Sequence, residues 1–185
     1  MGLNSAIAVG DTPVTDEDLA TLGLHPTGDT VSVEAVALTP ADNRACVVRL
    51  PSHTLVVDGG DALVDVLDAG AFPLPGTWHV GASVSTVGYA DYVVFRDGAV
   101  VRRVTDEEGD LSEEVAAIGD ETPFLVDGEL DGDQLLDALP RIAGALGAGS
   151  DVFTLEGEAW AAARDEGEAS PPPAKKKGFF GRLLG

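Results

Sequence analysis

The sequence predicts an α+β fold, a mixed and mostly antiparallel sheet with short helices packed on it. Two β-branched runs, Tyr92–Arg96 and Ala99–Arg103, flank Asp97-Gly98, a pair suited to a type I′ turn. Short strand-like segments ended by Pro or Gly come before this hairpin, and helical periodicity collects after it. No Gly-rich strand-to-helix phosphate loop is present, so the order of elements does not suit a doubly wound sheet.

Taken in order, Ala6–Val9 reads as the first strand. Thr15-Asp16-Glu17-Asp18 then opens a short helix with acids in its first turn, closed near Gly23. Strands are expected at Val31–Leu38, Ala45–Leu50 and Thr54–Val57, bounded by Pro40, Pro51 and Gly59-Gly60. Asp61 is placed to cap a helix over Ala62–Asp68 that stops at Gly70, and Trp78–Thr86 alternates as a strand. Across the hairpin, simple pairing sets Phe95 opposite Val100, Val94 opposite Val101 and Tyr92 opposite Arg103. Ser112–Ile118 suggests a third helix ended by Gly119. A fourth starts near Asp131, with Leu135, Leu139, Ile142 and Leu146 on one face and Pro140 expected to kink or divide it. A short strand at Val152–Leu155 and a helix around Glu158–Arg164 complete the body. One acidic domain over residues 1–167, a proline-rich linker over 168–174 and a basic, aromatic tail over 175–185 follow from the composition.

Apolar residues make up 44% of the 185 positions, enough for a core, and aromatics only 5%, so Ala, Val and Leu must do most of the packing. The net charge of −21 argues against nucleic acid, whose phosphates require clustered Lys and Arg, and favours a monomer through self-repulsion. The single cysteine, Cys46, allows no internal disulfide, which fits a cytoplasmic protein. The start, Met1-Gly2-Leu3-Asn4-Ser5, lacks the charged and apolar regions of a signal peptide, and Ser5 lies one position early for myristoylation. No apolar run is long enough to span a bilayer.

No catalytic, cofactor-binding or metal-ligating residue is assigned from the sequence. His25, His53 and His79 are far apart and lack ligand spacing. Gly81-Ala82-Ser83-Val84-Ser85 has serine where a nucleophile elbow needs glycine, and no helix is expected to follow. Asp127-Gly128-Glu129-Leu130-Asp131-Gly132-Asp133 imitates half of a calcium loop. Ala138 stands where a bidentate Glu is needed, which favours the competing role of Asp131 as N-cap with Gln134 three residues on.

The tail carries the one sharp signal. All three lysines of the chain, Lys175, Lys176 and Lys177, lie there with Arg182 and no acid. Phe179, Phe180, Leu183 and Leu184 would share one side of a helical turn. These eight residues are the candidate contacts with an anionic membrane surface or with the groove of a protein partner.

The span from Trp78-His79 through Gly88–Arg103 to Ile118-Gly119-Asp120-Glu121-Thr122-Pro123-Phe124, with the opening Met1-Gly2-Leu3-Asn4-Ser5-Ala6, resembles an uncharacterised domain family of actinobacteria. Its pattern is a strand with an early His, a D-G hairpin and an I-G-x-x-x-P-F segment. Arg103 departs from it, standing where serine is usual. The resemblance implies a bacterial cytosolic domain and no particular activity. The expected function is therefore a non-enzymatic binding or adaptor domain tethered by its tail. The alternatives are an immunity-type acidic inhibitor of a basic partner, or a hydrolase or transferase if two carboxylates meet Arg102 or His79 in one concave pocket.

Overall fold

The computed structural model describes residues 4–39, 43–114, 117, 121, 123–127 and 129–162. Alternation of side chains builds most of the first half. β1 (Asn4–Gly10), β3 (Arg44–Arg49) and β4 (Thr54–Asp58) are apolar on both sides, so a sheet made from them must be covered on both faces. α1 (Asp16–Ala20) starts at Thr15, whose hydroxyl accepts from the Asp18 backbone N–H while the Asp18 carboxylate accepts from that of Thr15.

The remaining elements are β2 (Leu24–Ser32), α2 (Val33–Leu38), α3 (Ala62–Ala69), β5 (Thr77–Val84), β6 (Tyr89–Arg96), β7 (Ala99–Glu107), β8 (Asp110–Glu114), β9 (Leu125–Val126), β10 (Glu129–Leu130), α4 (Gly132–Ile142) and β11 (Glu156–Ala162). Among the described residues, nine strands form one sheet in the order β2-β11-β3-β4-β1-β5-β6-β7-β8, and every pairing in it is antiparallel. β9 and β10 form a separate small hairpin.

One face carries Ala6, Ala8, Val47, Val56, Val80, Val93 and Trp160, covered by α1, α3 and the segment bearing Phe72 and Leu74. Phe72 stacks on Trp78 at 4.8 Å and lies 5.4 Å from Phe95. The opposite face carries Ile7, Val9, Cys46, Leu55, Val57, Tyr92 and Val94, covered by α2, α4 and the segment bearing Phe124 and Leu130. α4 is capped by Asp131, whose carboxylate accepts from the Gln134 N–H at 3.0 Å, and presents Leu135 and Leu139 to the sheet. Pro140 lies in its last turn, two residues before the end at Ile142, rather than dividing it.

Several expectations are corrected. Only Val31 and Ser32 of Val31–Leu38 are strand. Ser32 accepts from the Ala35 N–H and starts α2, which buries Val33, Val36 and Ala37. Asp61 makes no side-chain cap. Asp58, at the end of β4, instead accepts from Gly60 at 2.8 Å and Leu63 at 2.9 Å and holds the start of α3. Ser112–Glu114 belongs to β8 rather than a helix; Ile118 and Gly119 lie outside the described residues. β5 stops at Val84, and Ser85–Val87 forms a single 3₁₀ turn. Val152–Thr154 is also a 3₁₀ turn, started by Asp151, not a strand.

The largest correction is β11. Glu158–Ala162 has the composition of a helix, yet it is strand because β3 and β2 both need a ladder partner and Trp160 fills the core. A Cβ on Gly157 would sit 2.4 Å from the Val47 carbonyl oxygen, so glycine is what lets β11 lie against β3.

The hairpin turn is as expected, with φ of +48° at Asp97 and +84° at Gly98. Its register is not. Phe95 pairs with Val100, but Val94 pairs with Arg102 and Tyr92 with Val104, so Val101 is the extra residue of a β-bulge.

Two outcomes are expected. Gly98→Val should lower stability by about 1–2 kcal/mol in urea unfolding, since a β-branched residue is excluded from positive φ. Cys46 is buried, donates to the Val31 carbonyl at 3.4 Å and has its thiol pushed up to about 11 by burial. A thiol-reactive dye at pH 8 should leave the folded chain unlabelled and label it fully in urea.

Candidate functional site

Neighbours on β7, Arg102 and Arg103 point to opposite faces; the bulge decides which face each takes, and each meets a different set of carboxylates. On the face covered by α4, Arg102 is completely buried. Its Nε donates to Glu121 Oε1 at 3.1 Å, and its Nη2 donates to Glu121 Oε2 and Glu113 Oε2, both at 2.6 Å. Glu121 lies between β8 and β9 in the chain, so this fork ties it to the sheet just ahead of Phe124 and β9. Glu121 also holds the guanidinium's proton more firmly than usual, with Glu113 adding to it. Beside it, Tyr92 packs edge-on against Phe124 at 4.9 Å, and its hydroxyl is hydrogen-bonded to His79 Nδ1 at 3.0 Å. Burial pushes the His79 imidazole below its ordinary range and the Tyr92 phenol above its own.

On the face covered by α3, Arg103 donates from Nη2 to Asp91 Oδ2 at 2.5 Å and from Nε to Asp91 Oδ1 at 3.3 Å; Thr105 Oγ1 donates to Asp91 Oδ1 at 2.9 Å. Asp91 is fully buried, and burial pushes its carboxyl up against the opposing pull of Arg103. Over this pair lies a polar pocket of about 210 Å³, lined by Asp68, Tyr89, Arg103, Thr105, Glu107, Ser112 and Glu114.

A larger cleft of about 680 Å³ opens where β5, β6 and β7 meet the β9–β10 hairpin and the start of α4. Asp106, Glu108, Asp127, Glu129, Asp131 and Asp133 line it with Ser83 and Ser85. Asp106 is buried and accepts from Gly109 at 2.8 Å and Leu130 at 2.9 Å, which fixes the hairpin to the end of β7. Asp131 is occupied in capping α4, so the imitation of a calcium loop has given up one of its oxygens to the helix. Among the described residues no group of three or more His, Cys, Asp or Glu could hold a metal ion.

His25 is exposed on β2, His53 sits in the β3–β4 turn beside Ser52, and His79 is on β5, so the three histidines do not meet. Arg102 does meet two carboxylates, Glu121 in the interior and the half-exposed Glu113 on β8. The 210 Å³ pocket combines carboxylates with Arg103, which sequence reasoning put on the wrong face. The bulge has no signal in the residues Val100-Val101 themselves. Lys175, Lys176, Lys177, Phe179, Phe180, Arg182, Leu183 and Leu184 lie outside the described residues. No helix among the described residues is long and apolar enough to cross a membrane.

The fold and its charged end define a double-covered antiparallel sheet domain with a strongly acidic rim. Comparison with known proteins found no match, whether to a family model, a curated protein or a solved structure.

Truncating Arg102 would leave Glu121 buried without its cation. Arg102→Met should cost about 3 kcal/mol in chemical unfolding, the scale for breaking one side of a buried pair. It should also speed amide exchange in residues 124–127 and 129–130. Unchanged exchange there would show that the fork does not hold the segment.

Proposed function

We propose that the chain is a non-enzymatic binding or adaptor domain of the cytoplasm, brought to an anionic membrane surface by its C-terminal tail. The observation that carries this is the separation of charge along the chain. Lys175, Lys176, Lys177 and Arg182 give the last eleven residues +4, while the other 174 residues hold 32 acids against seven bases, a balance of −25. Each basic residue near an anionic surface contributes about 1 kcal/mol. Phe179, Phe180, Leu183 and Leu184 add about 1.5–3 kcal/mol each when fully buried. Ordering the tail and repelling the acidic body oppose this, so binding is reversible and weakens with salt.

A second reading, an acidic inhibitor of a basic partner, draws support from the acidic residues around the 680 Å³ cleft and the smaller pocket beside it. Electrostatic steering toward such a rim speeds the encounter with a cationic partner.

Liposome flotation tests the tail. The full chain is expected to float with vesicles containing phosphatidylserine and not with phosphatidylcholine alone, and to stop floating after Phe179→Ala/Phe180→Ala. A chain whose flotation is the same without residues 175–185 would overturn the membrane reading. A protein captured through those phenylalanines without lipid would replace it with groove recognition.

A further inference from the structure

We propose that β8 is a docking edge on which an extended, lysine- or arginine-bearing segment of a partner pairs as a tenth strand. β8 is the last strand of the sheet, and among the described residues it is laddered only to β7. The turn joining them is Glu108-Gly109, both at positive φ (+55° and +86°), and is closed by the pair Glu107–Asp110. In such a two-residue hairpin the closing pair exchanges both hydrogen bonds, and the pattern then alternates. Asp110, Ser112 and Glu114 therefore turn their backbone groups toward β7. Leu111 and Glu113 turn their N–H and C=O outward, offering two donors and two acceptors in strand spacing.

The charge of the edge selects the occupant. A second copy of this chain pairing antiparallel about Ser112 would set Asp110 beside Glu114 at both ends, a like-charge contact of the kind that edges use to prevent self-association. A basic strand meets the opposite condition. Asp110, Ser112, Glu113 and Glu114 are exposed along the edge, with Glu107 and Glu108 at its head. On the face covered by α3, Ser112 and Glu114 form one side of the 210 Å³ pocket, whose lining includes the further carboxylates of Asp68 and Glu107. Its one cation among the described residues, Arg103, is already bonded to Asp91. Every second side chain of an added strand would lie along this pocket, where a Lys or Arg finds carboxylates, and the backbone ladder would supply the rest.

The proposal rests on the reading of a basic partner and does not involve the tail. Its probe is a fluorescein-labelled octapeptide of alternating Lys and Val, titrated into the full chain by anisotropy. A second peptide of the same sequence, N-methylated at every residue, keeps the charge and removes the donors. The first peptide is expected to bind and to slow amide exchange at Leu111 and Glu113. The methylated peptide should bind at least tenfold more weakly, and Glu114→Lys, an exposed change, should weaken the first peptide by a similar factor. Equal binding of the two peptides would overturn strand addition while leaving a basic partner in place. Binding of neither would overturn both, and an alternating Glu-Val peptide binding as well as the first would overturn the choice of charge.

Discussion

The charged end of the sheet depends on a single extra residue in β7, because side chains on a strand alternate and one insertion exchanges the faces of everything beyond it. Phe95 pairs with Val100 and Val94 with Arg102, so Val101 has no opposite residue. Regular pairing would send Arg103 into the face covered by α4 and Arg102 toward Asp91. The bulge reverses them. Arg102 then reaches Glu121 and Glu113, and Arg103 reaches Asp91, Thr105 and the pocket above them. Burying a guanidinium is strongly unfavourable unless its donors are met, so the bulge and the two carboxylate sets hold each other in place.

The same pairings explain how the second half of the chain covers its sheet. Glu121 is held against the face by Arg102, Phe124 packs on Tyr92, and Asp106 receives Leu130 at the far side of the hairpin. Asp131 then starts α4 directly over β5. Polar contacts thus lead the chain from one apolar layer to the next, with α4 closing the core.

The parts of the fold legible in the sequence were those specified locally. Asp97-Gly98 fixed a turn through its φ angles, Thr15 and Asp131 fixed helix starts through their side-chain oxygens, and β1, β3 and β4 announced themselves by β-branched residues. The illegible parts were decided at long range. Glu158–Ala162 has helical composition and becomes strand only because β2 and β3 lie on either side of it. Val33–Leu38 carries a strand-like valine pattern, and the hydroxyl of Ser32 tips it into a helix. At the charged end, the acidic residues were visible one by one. Their gathering with Arg103 was not, since it follows from a bulge that no residue type marks and from strands brought together across the sheet.

The position of β11 has a temporal meaning. Among the described residues, Leu24–Ser32 is laddered to the sheet only through Glu156–Ala162, a strand more than 100 residues further along the chain. During synthesis or refolding the early strand has no ladder to join until the late one is inserted, and β3 meanwhile keeps one side unsatisfied. Ordering of this border closes a very long loop, whose entropy is set against it. Without β11 in place, β3 would be an open margin of the sheet, available to any extended peptide, its own or a neighbour's. Pro26 and Gly28 make the waiting strand a poor template for such wrong pairings, protecting the molecule during the interval in which it is incomplete.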